Sequence, residues 1–331
     1  MKEKTLQKEN MFLSPYALKS CDTVGRLIEE QPCPMRTDFQ RDRDRIIHCK
    51  AFRRLKNKTQ VFFSPEGDHY RTRLTHTLNV SQVARGIARA ISLNEDLTEA
   101  IALGHDLGHT PFGHSGERIL AKLNPNGFSH NVQSGRVVDV LENDGKGLNL
   151  TREVVDGIIN HKLNTTAKTL EGQAVSIADR IAYINHDIDD AINGGFITVN
   201  DLPKSTRKLL GDTSRERINA MLKSIYAMSD GKNFVKMEDE IASATTELRS
   251  FMFSRVYNDK TFREEEMRAD RMITALYEYY KKDPARLPEF YVKRLEFDDI
   301  DTVLCDYISG MSDMYAVKTF NEIFVPKNWK L

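Results

Sequence analysis

The sequence predicts an almost wholly α-helical protein, and three observations predict it. Apolar residues recur three and four apart in long segments: Val80, Val83, Ile87 and Ile91 in line with His76; Ile177, Ile181, Ile184, Ile188 and Ile192; and Ile300, Leu304, Tyr307, Met311 and Met314. That spacing puts each set on one face of a helix. The period-two alternation of a half-buried strand does not occur over any useful length. Helix start and stop signals sit where the stripes begin and end, with Asn94 ahead of Glu95 and Asp96, and Gly194-Gly195 after the Ile177 to Ile192 stripe. Helices with one apolar stripe each bury it against one another, which gives an all-α bundle.

Taken in order, residues 1–35 are irregular by pattern, with Pro15, Pro32 and Pro34 breaking any long helix, and read as an N-terminal arm. From Arg36 to Lys58 the chain is strongly basic, with Arg36, Arg41, Arg43, Arg45, Arg53, Arg54, Lys56 and Lys58 set against Asp38, Asp42 and Asp44. One reading is a solvated helix laced with ion pairs. Because the segment runs straight into the His76 helix, the favoured reading is that some of these cations reach phosphate. Ser64 to Gly67 marks a turn. The helix opened by Asn94 carries Leu97, Ile101 and Gly104 inward and closes on His105 and Asp106. LNPNG at 123–127 separates the His114 region from a helix opening near Ser129, with His130 in its first turn. Residues 131–162 read as two helices joined by a turn at Asp144 to Gly147, and His161, without a partner by pattern, reads as structural. A helix from about Gln173 to Ile192 follows. Beyond Phe196 the chain is charged and helical in pattern, and its last stripe, Ile300 to Met314, reads as one buried helix.

Composition narrows the class. A chain of 331 residues, 40% hydrophobic and 29% charged, is long enough for one large domain or a domain with an appendage. Lys plus Arg equals Asp plus Glu at 48 each, which argues against a surface given over to nucleic acid. No apolar run follows the lysines of MKEKTLQKEN, and no segment approaches the roughly 20 apolar residues of a membrane span, so a cytoplasmic protein with no membrane partner is expected. Cys21, Cys33, Cys49 and Cys305 are far apart with no CxxC, so neither a disulfide framework nor a thiolate metal site is suggested.

Chemistry concentrates between Leu103 and Glu117, LGHDLGHTPFGHSGE, which holds three of the nine histidines and two carboxylates. His105 and Asp106 offer adjacent nitrogen and oxygen ligands. His76 lies on the inward stripe of its helix, and Asp179, Tyr183 and Asp187 follow one helix face at i, i+4 and i+8. Three helices thus offer His76, His105, Asp106 and Asp179 to one divalent metal ion. Mixed imidazole and carboxylate ligation suits Mn, Fe, Co, Ni or Zn, with Mg kept among the candidates, and leaves positions open for water or phosphate oxygens. His114 and Glu117 stand i, i+3 and share a helix face if Pro111 opens a helix at its first position. They then form an acid–base pair, the alternative being a surface ion contact. Arg73, one turn before His76, and Arg180, next to Asp179, are placed either to pair with a phosphate or to sit at the surface.

The strings RDRDRIIHCKAFRRLKNKTQVF (41–62), YRTRLTHTLNVSQVA (70–84), HDLGHTPFGHSGE (105–117) and DYISGMSDMYA (306–316) resemble the dGTPase family, deoxynucleoside triphosphate triphosphohydrolases of the HD-domain superfamily. The resemblance runs from about residue 36 to 318 in the family's own order. It implies an HD-domain helical bundle: a metal-dependent phosphohydrolase core over 36–195, the arm 1–35 ahead of it, and a helical extension, 196–331, packed on it. The implied reaction converts dGTP, and other dNTPs, to deoxynucleoside and intact triphosphate by water attack at the α-phosphorus. His109 resembles a position that contacts substrate phosphate, or it sits behind the metal ligands. His130, in its FSHN context, resembles a functional histidine. Gln60 and Tyr183 match positions that recognise the deoxyribose, the amide reading the 3′-hydroxyl and the ring clashing with a 2′-hydroxyl, and Asp187 joins the substrate-binding set. The resemblance also implies a homo-oligomer, with a regulatory dNTP or single-stranded nucleic acid as a further partner class. The rival readings are another HD phosphohydrolase, acting on a cyclic dinucleotide or an alarmone, and a non-catalytic nucleotide or nucleic-acid-binding regulator.

Overall fold

The computed structural model describes residues 1–60, 71–162, 164–257 and 259–326, without the side chains of 260–262. The turn expected at Ser64 to Gly67 lies outside the described residues. Within them all regular structure is helical, and pairing between extended segments is limited to two isolated bridges, Arg26 with Thr151 and Thr59 with Thr72. No described helix is long and apolar enough to cross a membrane.

The arm differs from its expected irregularity, because its prolines all fall after a helix, α1 (Lys2–Phe12). Buried Glu9 of α1 accepts from the Ser20 amide and hydroxyl, each at 2.7 Å. Glu153 accepts from Thr23 and Val24, and Glu171 accepts from Leu18, so carboxylates of the later helices tie the arm down.

The basic segment forms α2 (Asp38–His48) and α3 (Lys50–Arg54), with Thr37 and Gln40 making a reciprocal cap ahead of α2. Here the favoured phosphate reading gives way to the ion-pair reading for five cations. Arg36 pairs with Asp44, Arg41 and Arg45 with Glu30, Arg43 with Asp44, Asp96 and Glu99, and Arg54 with Glu142. Most of these acids come from elements distant in sequence, so a local charge count could not balance them. Lys58 is buried, its ammonium held by the carbonyl oxygens of His109 and Ser309.

The centre is built from α4 (Arg73–Ala90), α5 (Glu95–Gly104) and, further along the chain, α10 (Leu170–Asn193), which pack on one another. Val80, Val83 and Ile87 of α4, Leu97 and Ile101 of α5, and Ile181, Ile184 and Ile188 of α10 are buried. Burying each such side chain contributes about 1.5–3 kcal/mol. Asn94 caps α5 as expected, its side-chain oxygen accepting from Asp96 and Leu97. After α6 (Gly113–Leu123) and α7 (His130–Arg136) the chain passes through a π turn, Val137–Leu141, and a distorted turn, α8 (Glu142–Gly145), before α9 (Arg152–Ile159). α9 comes so close to α5 that a Cβ on Gly157 would stand 2.5 Å from Ile101.

Beyond Gly195 come α11 (Lys204–Leu210), α12 (Ser214–Ser229), α13 (Asp239–Arg255), α14 (Lys260–Lys282), α15 (Glu289–Arg294), α16 (Ile300–Ser309) and α17 (Asp313–Phe324). Met221, Ile225, Leu248 and Met252 of α12 and α13 join the central core. A second apolar cluster gathers Phe112 and Leu120 with Ile273, Leu276 and Tyr277 of α14 and Val303, Leu304 and Ile308 of α16. The single helix expected over Ile300 to Met314 is in fact two. Ser312 caps α17 by accepting from Tyr315, so the stripe ends at buried Met311 and Met314 is 74% exposed.

Candidate active site

His76 lies in the second turn of α4, His105 ends α5, Asp106 follows it, and Asp179 projects from the middle of α10. His76 Nε2 is 3.1 Å from Asp179 Oδ1 and 3.9 Å from Asp106 Oδ2; His105 Nε2 is 3.6 Å from Asp106 Oδ2 and 3.8 Å from Asp179 Oδ1. His105 keeps its proton on Nδ1, which faces the Ala102 carbonyl oxygen at 2.7 Å, and its buried Nε2 has no hydrogen-bond partner. A tautomer fixed from behind, with a bare lone pair aimed at two carboxylates, is the arrangement of a metal ligand. Burial alone would raise the Asp106 carboxyl, but its electrostatic interactions with the His105 imidazole and the Arg73 guanidinium, and then with His109 and His76, hold it well below its ordinary range. Burial likewise opposes ionisation of Asp179, and the hydrogen bond from His76 and the electrostatic interaction with the His105 imidazole reverse it. Two imidazoles and two ionised carboxylates fit a divalent cation.

The helix carrying His114 does not open at Pro111. Phe112 and Gly113 both take left-handed backbone (φ 60° and 59°), and α6 begins at Gly113, so the break falls two residues later than the proline suggests. His114 and Glu117 still share the first turn, with His114 Nδ1 3.2 Å from Glu117 Oε2. Glu117 serves more than His114. The same Oε2 lies 2.9 Å from His130 Nδ1, while Oε1 accepts from the His130 amide at 3.1 Å and from Lys162 Nζ at 2.9 Å. Burial would raise the Glu117 carboxyl, yet these hydrogen bonds and the charges of His130 and His109 hold it far below the usual carboxylate range. His114 is 65% exposed at its side chain, whereas His109 and His130 are buried and stack at 4.6 Å between ring centroids. The backbone leading from Asp106 to His109 is pressed onto α7: a Cβ on Gly108 would stand 2.2 Å from the Ser134 nitrogen.

The other expected residues divide. Arg73 is buried and gives its guanidinium to Asp106 Oδ2 at 2.8 Å and to the Gln60 carbonyl oxygen at 3.1 Å, so it steadies a ligand candidate. Buried Gln60 has an unpartnered side-chain oxygen. Arg180 and Tyr183 are half-buried beside Asp179, and burial pushes the Tyr183 hydroxyl up to about 12. Asp187 is buried and takes a hydrogen bond from Tyr257; burial raises its carboxyl to about 7.

His161 is not the isolated structural residue its surroundings in sequence suggest. Its Nε2 is 3.2 Å from His130 Nε2, and its ring centroid is 5.1 Å from that of His105. It lies just past α9, where no periodicity points at the site. Lys162 and Tyr257 also escaped the sequence reading. His186 did have a signal, standing seven residues after Asp179 on the same face of α10, and its ring lies 6.4 Å from that of His76.

The arrangement can hold one cation between α4, α5 and α10, and it can move a proton at the exposed His114 imidazole, whose tautomer Glu117 fixes. Comparison with known proteins places these elements in context. The HD domain family matches residues 73–184, and the phosphohydrolase-associated domain family matches residues 235–322. Three relatives carry the name deoxyguanosinetriphosphate triphosphohydrolase-like protein. That of Caldanaerobacter subterraneus subsp. tengcongensis is 56% identical, covering 99% of this chain and 97% of its own. That of Clostridium tetani is 49% identical over 96% of this chain and 95% of its own, and that of Desulfatibacillum aliphaticivorans is 45% identical over 98% of each. A solved structure of a hypothetical protein from Aquifex aeolicus aligns at a TM-score of 0.48 and 20% identity, covering 86% of this chain and 68% of its own, a likeness too distant to add to fold or function.

Proposed function

The chain belongs to the deoxyguanosinetriphosphate triphosphohydrolase-like family, within the HD-type phosphohydrolases, and from that premise we propose that it cleaves deoxynucleoside triphosphates, dGTP among them, to deoxynucleoside and intact triphosphate. The observation that carries this reading is the convergence of His76 and His105 on Asp106 and Asp179, each imidazole Nε2 lying within 3.9 Å of an oxygen of both carboxylates, beside the His114–Glu117–His130 group. A bound divalent ion supplies polarisation of an α-phosphate oxygen and a more acidic water. The protein's own groups do the rest. His114, its side chain exposed and its Nδ1 held by Glu117, offers Nε2 to protonate the leaving 5′-oxygen or to take a proton from the attacking water. His109 and His130 face the phosphates from the buried side. Arg73 holds Asp106 in place, Arg180 adds positive charge beside Asp179, and Gln60 and Tyr183 read the sugar.

In this reading residues 36–195 form the catalytic core, 1–35 an arm clamped to it and 196–331 a helical extension, and the chain works as a homo-oligomer. Light scattering with and without dNTPs checks the assembly, and the same samples test a regulatory dNTP or single-stranded nucleic acid as an added partner. The deciding experiment presents each of the four dNTPs, alone and in pairs, with Mn or Mg, and identifies the products. Triphosphate is expected from wild type and none from Asp106→Ala, which should also lose its metal by elemental analysis. Release of pyrophosphate or orthophosphate as first product, or hydrolysis by metal-free Asp106→Ala, would refute the assignment.

A further inference from the structure

Asp313 turns its carboxylate away from the helix it opens. Ser312 already caps α17 by accepting from the Tyr315 amide, so that helix does not need the Asp313 side chain. Both oxygens reach the catalytic part of the chain instead. Oδ2 accepts from the Thr59 amide at 2.8 Å and from the Thr59 hydroxyl, 254 residues away in sequence; Oδ1 accepts from the Phe112 amide at 3.0 Å, 201 residues away. One carboxylate thus bridges two segments of the site, 58–60 and 109–113. These segments lie against each other: a Cβ on Gly113 would stand 3.1 Å from the Gln60 carbonyl oxygen, and the buried Lys58 ammonium is held by the His109 carbonyl oxygen as well as by that of Ser309 at 2.7 Å.

Each end of the bridge governs a residue of the reaction. Thr59 stands directly before Gln60, whose carbonyl oxygen is held by Arg73 at 3.1 Å while its buried side-chain oxygen has no partner. With Thr59 tied by Asp313 and the Gln60 carbonyl by Arg73, the backbone is fixed on either side of the Gln60 side chain, so the direction of its amide is set in advance. Phe112 stands two residues before His114. Its backbone is left-handed (φ 60°), which a bulky residue adopts only where its neighbours impose it. Two contacts do so: the ring is buried with Leu120, α14 and α16 in the second apolar cluster, and the amide is bound by Asp313. Gly113 is left-handed as well and begins α6, so these two residues set the direction in which α6 leaves and hence where His114 stands.

We propose that Asp313 is a positioning residue for this site, a role that rests on dNTP hydrolysis being its reaction: it sets Gln60 against the sugar and His114 against the phosphate without touching substrate. The phosphohydrolase-associated domain, matched over residues 235–322, thereby takes part in catalysis, because its α16–α17 junction, Ser309 to Asp313, clamps the two segments together. A carboxylate suits the place because three donors face it and its two oxygens accept from all three. An amide has one accepting oxygen and cannot serve Thr59 and Phe112 together.

The test compares full-length, metal-loaded wild type with Asp313→Ala on dGTP and on 2′,3′-dideoxyguanosine triphosphate, which lacks the hydroxyl assigned to Gln60. Asp313→Ala is expected to keep its metal by elemental analysis and to lower kcat on dGTP by about 10–10²-fold, as a misplaced catalytic group does. Its kcat/KM preference for dGTP over the dideoxy substrate is expected to fall by roughly tenfold, the worth of about one hydrogen bond. Gln60→Ala should lose the same preference, and adding Asp313→Ala to it should lower the preference no further; adding Asp313→Ala to His114→Ala should lower kcat no further. A structural role alone would make the losses multiply. A folded Asp313→Ala with wild-type kcat and preference overturns the proposal, and so do multiplied losses in the double variants. Should Asp313→Ala fail to fold, as read by circular dichroism, Asp313→Asn decides: it keeps the bonds to Thr59 or to Phe112 and is expected to lose one of the two readouts, and wild-type values in both overturn the proposal. Wild type that releases no triphosphate from dGTP overturns the proposed function and the positioning role with it. Triphosphate from wild type with no change in Asp313→Ala overturns the positioning role alone.

Discussion

Replacing Glu117 by Gln keeps the side chain's size and removes its charge, and the contacts around it set the expected cost. The carboxylate takes four hydrogen bonds, from His114 Nδ1 (3.2 Å), His130 Nδ1 (2.9 Å), the His130 amide (3.1 Å) and Lys162 (2.9 Å). An amide has one accepting oxygen, so it serves one pair and turns an NH₂ donor toward the other. With the oxygen on Lys162 and the His130 amide, the NH₂ faces both imidazoles and forces their protons to Nε2. With the amide flipped, the NH₂ faces the Lys162 ammonium. Hydrogen bonds to charged groups contribute about 1.5–3 kcal/mol each. Two are lost, and because the Lys162 side chain is 30% exposed the net destabilisation is expected near about 3 kcal/mol. The catalytic cost is larger. General acid–base catalysis contributes about 10²–10⁴ in rate, and a carboxylate-to-amide change that sets the wrong histidine tautomer cost about 10⁴ in a serine protease. Rapid-quench single-turnover kinetics on Glu117→Gln should therefore show triphosphate release slowed by about 10²–10⁴, with metal content unchanged by elemental analysis. A rate within about tenfold of wild type, or a protein that has lost its metal from His76, His105, Asp106 and Asp179, would refute the role assigned to this carboxylate.

Tyr183→Ala should relax the exclusion of ribonucleotides, because Tyr183 stands one turn, roughly 6 Å, beyond Asp179 on α10; equal dGTP-to-GTP discrimination in variant and wild type would remove it from the sugar pocket. Glu171→Gln should change the pH dependence of stability. Burial raises the Glu171 carboxyl from 4.5 to about 7, so the folded protein holds a proton that the unfolded chain releases, and stability present below about pH 4.5 is lost as pH rises toward 7. That loss is at most about 3 kcal/mol. The variant's amide oxygen can keep the bonds from Leu18 and Asn94, and its unfolding temperature at pH 8 should exceed wild type's; a lower or equal value counts against the buried proton. Gly108→Ala should destabilise the fold by about 1–3 kcal/mol or more and weaken metal binding, since the new Cβ would meet the α7 backbone at 2.2 Å and displace the Asp106–His109 turn; metal titration with thermal unfolding reads both, and wild-type values in both would contradict the close packing seen there.

Much of this protein is legible in one dimension because helices write their contacts at spacings of three and four. The stripes through His76 and Ile177 to Ile192, the Asn94 cap and the HD pair at 105–106 determined which helices exist and which way they face, and so pointed His76, His105, Asp106 and Asp179 at a common centre. What the stripes do not carry is how one helix meets another. The cations of Arg36 to Lys58 could be counted in sequence, but not that Glu30 would pair with Arg41 and Arg45; Arg73 stood open between a phosphate and the surface, and the fold buries it against Asp106. Glu117 was visible as the i, i+3 partner of His114, but its hold on His130 and Lys162 spans 13 and 45 residues, and His161 reaches His130 from 31 residues away. Local hydrogen bonding and periodicity decide helices and their faces. Contacts closed over long loops, which cost chain entropy and are fixed only by the packing of the whole core, decide which charges are neutralised and which imidazoles meet.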